Sequence, residues 1–176
     1  MKRTALFMLA VLLTLQFAGC GCQKAPDPTE PSGSVDSAVI APQVTANSVP
    51  AKLWAQFQQE ITKNANVTAL ELANALVAIV SDQFAGEATQ LEKNTEYFAG
   101  FDNYQITGYR ACAMYGPVIG SIAFVGYVFE LEDGTDPAAF VKGLTENCNP
   151  RWNICVSAEQ TACGAIGNRV FFVMCP

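Results

Sequence analysis

The chain contains no histidine. Histidine is the one side chain whose ordinary pKa lies near neutrality. Its absence excludes a Ser/His/Asp or Cys/His catalytic site and the commonest imidazole metal ligand. No two of the seven cysteines stand in a CxxC pair, so a thioredoxin-type redox site and a zinc ribbon lack their basic spacing. No GxSxG, P-loop or GxGxxG stands at a strand-to-helix junction, and the glycines of YGPVIGS and ACGAIGN read as turns and strand kinks rather than a phosphate cradle. Long apolar runs are missing too. The one candidate, Ala5 to about Phe17, is far short of the roughly 20 residues that cross a bilayer.

Positive charge is equally scarce. Of the 10 basic side chains two, Lys2 and Arg3, stand in the first three residues, leaving eight against 16 acidic ones. Such a surface repels nucleic acid and anionic lipid. Nucleic acid is therefore not an expected partner, and attachment to a membrane must be covalent rather than electrostatic.

The beginning of the chain, MKRTALFMLAVLLTLQFAG, has a short basic region followed by an apolar core of secretory-leader length. FAGC follows. Ala18 and Gly19 before Cys20 resemble the lipobox of bacterial lipoproteins, where the cysteine sulfur takes a diacylglycerol and the leader is cut just before it. Phe17 departs from that pattern, which usually has Leu there. Cys22 fits less well, because Gly19 would take the corresponding position. An uncleaved signal anchor and a leader cut by the ordinary peptidase are the competing readings. The expected organisation is a lipoprotein signal peptide over 1–19, a lipidated Cys20 with a tether over 20–49, and a globular domain over 50–176. The tether is rich in Pro, Ser, Thr and Ala, and proline restricts both its own φ and that of its predecessor, which makes an extended, semi-stiff spacer. VIAP at 39–42 admits a second reading, an edge strand.

About 125 residues remain, enough for one domain with one core. In AKLWAQFQQEITK, Leu53, Trp54, Phe57 and Ile61 recur at helical spacing. NVTALELANALVAIVSD opens with Thr68 and has Glu71 three residues on, a capping-box pair. Its Leu72, Ala73, Leu76, Val77 and Val80 then share one face. Residues 82–103 are mixed, and they read as loop with a short helix around 89–98, with Tyr97, Phe98 and Phe101 covering the end of the core. YQITGYRACAMY (104–115) and VIGSIAFVGYVFEL (118–131) read as a hairpin. In the second run Ala123, Val125, Tyr127 and Phe129 form one face and Ile122, Phe124 and Val128 the other, so a central strand covered on both sides is expected. Asp136 and Pro137 then begin a helix with Phe140, Val141 and Leu144 inward.

The last hairpin turns at Gly167 and Asn168, with glycine first as a type II′ turn requires. That turn sets Ile166 opposite Arg169 and Cys163 opposite Phe172, and places Cys175 on the other face from Cys163. The expected fold is α+β, a single domain with about four strands in a mainly antiparallel sheet, in the order α-α-β-β-α-β-β.

SIAFVGYVFELED, the helix after it and RWNICVSAEQTACGAIGNRVFFVMCP resemble a family of small bacterial lipoproteins, mostly from Gram-positive bacteria, built on a domain of unknown function. The resemblance covers about residues 50–176. It implies an extracytoplasmic location and gives no catalytic residues to carry over.

Beyond Cys20, the remaining cysteines are Cys22, Cys112, Cys148, Cys155, Cys163 and Cys175, which allow fifteen pairings. CNPRWNIC offers a possible disulfide between Cys148 and Cys155, because Pro150 favours a turn. Cys112, Cys163 and Cys175 sit in apolar strands and read as small buried hydrophobes. ELEDGTDP, with Glu130, Glu132, Asp133 and Asp136, lacks EF-hand spacing and reads as a charged turn with an N-cap. Trp152 is either an exposed binding aromatic or the closure of a core edge. No catalytic residue, metal ligand or cofactor is assigned. The first expectation is a membrane-anchored extracytoplasmic binding or envelope-accessory module for an unknown envelope protein or ligand. The alternatives are a cell-surface enzyme using carboxylates or a thiol, and a substrate-capturing lipoprotein of a transporter.

Overall fold

The computed structural model describes residues 38–93, 95–153 and 155–176; the expected leader, Cys20 and most of the expected tether lie outside them. The described chain runs β1 (Val39–Ile40), α1 (Val49–Lys63), α2 (Ala69–Ile79), β2 (Gly86–Leu91), β3 (Tyr109–Pro117), β4 (Val125–Leu131), α3 (Pro137–Asn147), β5 (Gln160–Ile166) and β6 (Arg169–Cys175). The strands form one antiparallel sheet in the order β1-β5-β6-β4-β3-β2. The α+β class stands, but the sheet has six strands rather than about four.

Both additional strands are at the edges. Val39–Ile40 pairs with Ile166–Ala165, so within 39–42 the edge-strand reading holds over the tether reading. GEATQL forms β2 along β3, from Gly86 opposite Pro117 to Leu91 opposite Cys112. This replaces the helix expected around 89–98. An edge strand with both faces largely exposed does not need the alternating apolar pattern that marks a strand in sequence.

Helix starts follow their local chemistry. The Ser48 hydroxyl accepts from Ala51 N, Thr68 and Glu71 form the reciprocal capping box, and Asp136 accepts from Ala138 N ahead of Pro137. The last hairpin has the expected register, Ile166 opposite Arg169 and Cys163 opposite Phe172. Gly167 has φ +56 while Asn168 does not enter the left-handed region, the pattern of a type II′ turn.

The sheet is covered on both faces. On one side α1 and α2 bury Leu53, Trp54, Phe57, Leu72 and Leu76 against Tyr115, Val128, Phe171 and Val173. On the other side α3 and the segment after β2 bury Phe140, Leu144, Phe98 and Phe101 against Tyr127, Phe129 and Phe172. Every residue of β4 and β6 is buried, as a strand covered on both faces requires. The alternation expected for β4 holds, with Val125, Tyr127 and Phe129 on one face and Phe124 and Val128 on the other.

The α2 start is tied to the sheet by a buried ionic cluster. Glu130 Oε1 accepts from Ala69 N at 2.8 Å, and its other oxygen lies 3.3 Å from Arg110 Nε and 3.9 Å from the Arg169 guanidinium. Arg169 Nε in turn donates to the Val67 carbonyl at 3.1 Å. A carboxylate and a guanidinium this enclosed persist only because each finds the other and a backbone partner.

Candidate functional site

The two faces of the sheet are covered differently, and the difference creates a cleft on the α3 side. Residues 92–108 cross the end of β3 and β4 without a helix or strand of their own. Aromatic anchors hold this segment down: Phe98 and Phe101 are buried, packing edge-on or tilted against Tyr109, Tyr127 and Phe172. Tyr97, expected with them, is 66% exposed instead.

Two tyrosine hydroxyls fix the backbone. Tyr109 donates to the Lys93 carbonyl at 3.0 Å and Tyr127 to the Ala99 carbonyl at 3.1 Å. Burial raises the pKa of both phenols, so both stay neutral and able to donate at any physiological pH. The residue after the α3 cap completes the attachment. Asn149 N donates to the Gly100 carbonyl at 2.7 Å, and Asn149 Nδ2 to Asp102 Oδ2 at 3.0 Å. Gly100 has φ +89, and a Cβ there would meet the Met174 methyl, so the bend requires glycine twice over.

The resulting cleft has a volume of about 750 Å³. Its floor is apolar, formed by Phe98, Phe101, Ile106 and Tyr109. Its walls carry amide, hydroxyl and carboxylate groups, among them Asp102, Asn103, Gln105 and Thr107. At one rim Lys93 Nζ and Glu132 Oε1 stand 2.8 Å apart. A concave site of this size, with an apolar floor and a few directional polar groups, suits a small molecule or a short segment of another chain.

The same wall carries carboxylates and hydroxyls, several of them already engaged. It has no Ser or Cys, and the Thr95 hydroxyl donates to the Glu92 carbonyl rather than to a base. Glu132 is engaged by Lys93 and Asp102 by Asn149. Among the described residues no three His, Cys, Asp or Glu side chains are placed to hold a metal ion.

The residues singled out in the sequence do not converge here as a group. Of the acidic stretch, Glu130 is in the buried ionic cluster, Glu132 at the cleft rim, Asp136 at the α3 start, and Asp133 projects into solvent. Trp152 is half-buried against the α3-side core, beside a smaller notch of about 140 Å³. Val118 and Ile119 project from the nearby β3–β4 connection, 57% and 73% exposed. Cys112, Cys163 and Cys175 are buried free thiols, Cys148 is a half-buried one and Cys155 an exposed one. Burial raises the pKa of Cys112, Cys148, Cys163 and Cys175, the last two to about 12, which makes them weak nucleophiles. The cleft itself had no sequence signal beyond its aromatics, because its polar walls have no period and Glu132, at its rim, is far along the chain.

Comparison with family models, with curated proteins and with solved structures finds no match to this chain.

Proposed function

We propose that this protein is a lipoprotein anchored outside the cell membrane through Cys20, with the α+β domain as a non-catalytic binding module whose ligand occupies the cleft lined by the segment between Lys93 and Tyr109. The observation that carries the location is the apolar run closed by FAGC. The two acyl chains of a diacylglyceryl group on that sulfur give durable attachment, at about 0.8 kcal/mol for each buried methylene, where one chain alone is marginal. Support for binding comes from the cleft, which combines an apolar floor with polar walls and holds no nucleophile paired with a base. The domain's one sheet does not divide into the two large lobes usual for a substrate-capturing transporter component, and this leaves that alternative without support.

Metabolic labelling with a radioactive fatty acid tests the anchor. The expected result is a labelled, detergent-partitioning protein that loses both properties on Cys20→Ala; label retained by that variant would overturn the reading.

A further inference from the structure

The described cysteines are not equally able to meet one another. Cys175 packs on the α1 and α2 side of the sheet, whereas Cys112 and Cys163 pack on the α3 side. Cys112 is on β3 and Cys163 on β5, with β6 and β4 between them. Three strand spacings separate those two thiols by about 14 Å, beyond the reach of a disulfide. Cys155 is exposed.

Cys148 is different. It caps α3, the helix that packs on β5 and β6, and its side chain packs against the core cluster that contains Cys163. Its Sγ lies 3.4 Å from the Thr145 carbonyl oxygen. The Thr145 side chain also neighbours Cys163, and the Thr161 side chain, two residues before Cys163 on the same face of β5, neighbours Cys148. Charge on Cys148 would be felt at Cys163. Cys148 therefore faces β5.

We propose that Cys148 and Cys163 are a disulfide-forming pair, oxidised by exchange with an external disulfide, and that the bond braces the wall of the cleft. The more accessible Cys148 loses its proton and attacks one sulfur of the external disulfide, forming a mixed disulfide and releasing one thiol. Cys163 then loses its proton and attacks the Cys148 sulfur, releasing the second thiol. Two electrons pass from the pair to the external disulfide, and no other reactant is needed. Burial holds both thiols largely protonated, so exchange is slow at neutral pH and quickens as pH rises. The brace follows from Asn149, which is next to Cys148 and holds both Gly100 and Asp102. Fixing Cys148 to β5 fixes the two hydrogen bonds that position the segment over the cleft.

The experiment uses the full chain, reduced and then incubated with oxidised glutathione at pH 8.5, alkylated and mapped without reductant. Cleavage after Arg151 separates Cys148 from the other two cysteines, and cleavage after Glu159 separates Cys155 from Cys163. The expected product is a linked Cys148–Cys163 peptide, unchanged in Cys155→Ser and lost in Cys148→Ser. A Cys148–Cys155 link, a link from Cys163 to Cys22, or complete alkylation of Cys163 would overturn the pairing. Amide exchange across 98–104 is expected to slow on oxidation; equal exchange in the two redox states would overturn the bracing role.

Discussion

The two faces of the sheet are equally buried at their centres but differ at their margins. The α1 and α2 face is closed by two amphipathic helices whose apolar residues recur with helical period, and aromatic stacking of Trp54, Phe57 and Phe171 fills the layer. The α3 face has one helix and a long irregular segment, anchored at a few aromatic and hydrogen-bonded points, and it retains an open cleft. Periodic covering gives a closed layer, and none of its buried residues lines the cleft of about 750 Å³. Irregular covering leaves backbone and polar side chains in the open, which is why binding surfaces are so often built on loops held by a rigid scaffold.

The largest expected effect is on the helical face. Phe57 is fully buried, and Phe57→Ala should lower the unfolding free energy by about 3–5 kcal/mol, read from urea denaturation. A loss below about 1 kcal/mol would mean that this face is not close-packed. Next is the buried carboxylate. Glu130→Ala leaves the Arg169 guanidinium enclosed without its anion and frees Ala69 N, and should cost about 3 kcal/mol. Amide exchange should then rise first at the start of α2.

On the cleft face the expected changes are smaller and more local. Tyr109→Phe and Tyr127→Phe each remove one hydrogen bond from the segment's backbone, at about 1 kcal/mol. Exchange across 92–108 should quicken while α1 and α2 remain protected. Uniform loosening of both faces would erase the distinction between them. The smallest effect belongs to Lys93→Ala. That pair with Glu132 is largely exposed, so stability should change by no more than about 0.5 kcal/mol.

The same contrast explains what was legible in the sequence. The three helices, the caps of α2 and α3 and the last hairpin are written in neighbouring residues: Thr68 with Glu71, Asp136 with Pro137, Gly167 with Asn168. The α1 cap, Ser48, lies within the residues read as tether. The two faces of β4 are written in its alternation. β2 was not legible, because GEATQL is polar and becomes a strand only through its partner β3. β1 was legible only as the second reading of VIAP, an edge strand, because two residues are too few to show a period and the strand depends on β5. In the candidate site the anchors Phe98 and Phe101 were visible as core aromatics. The cleft over them was not, since its lining between Lys93 and Tyr109 has no periodic pattern and takes its shape from tertiary hydrogen bonds to Asn149 and the pairing of Lys93 with Glu132. Local chemistry shows in a sequence read singly, whereas the shape of an irregular segment held by tertiary contacts does not.

The central claim is that the irregularly covered face is the working surface of the domain. It is tested most directly by replacing Thr107, in the cleft wall, with a photoreactive phenylalanine analogue in the full chain, and Gln58, exposed on α1, in a parallel variant. After irradiation of intact cells, mass spectrometry should find a discrete adduct on the Thr107 variant and none on the Gln58 variant. An adduct at position 58 with none at 107, or the same adducts at both, would contradict the account.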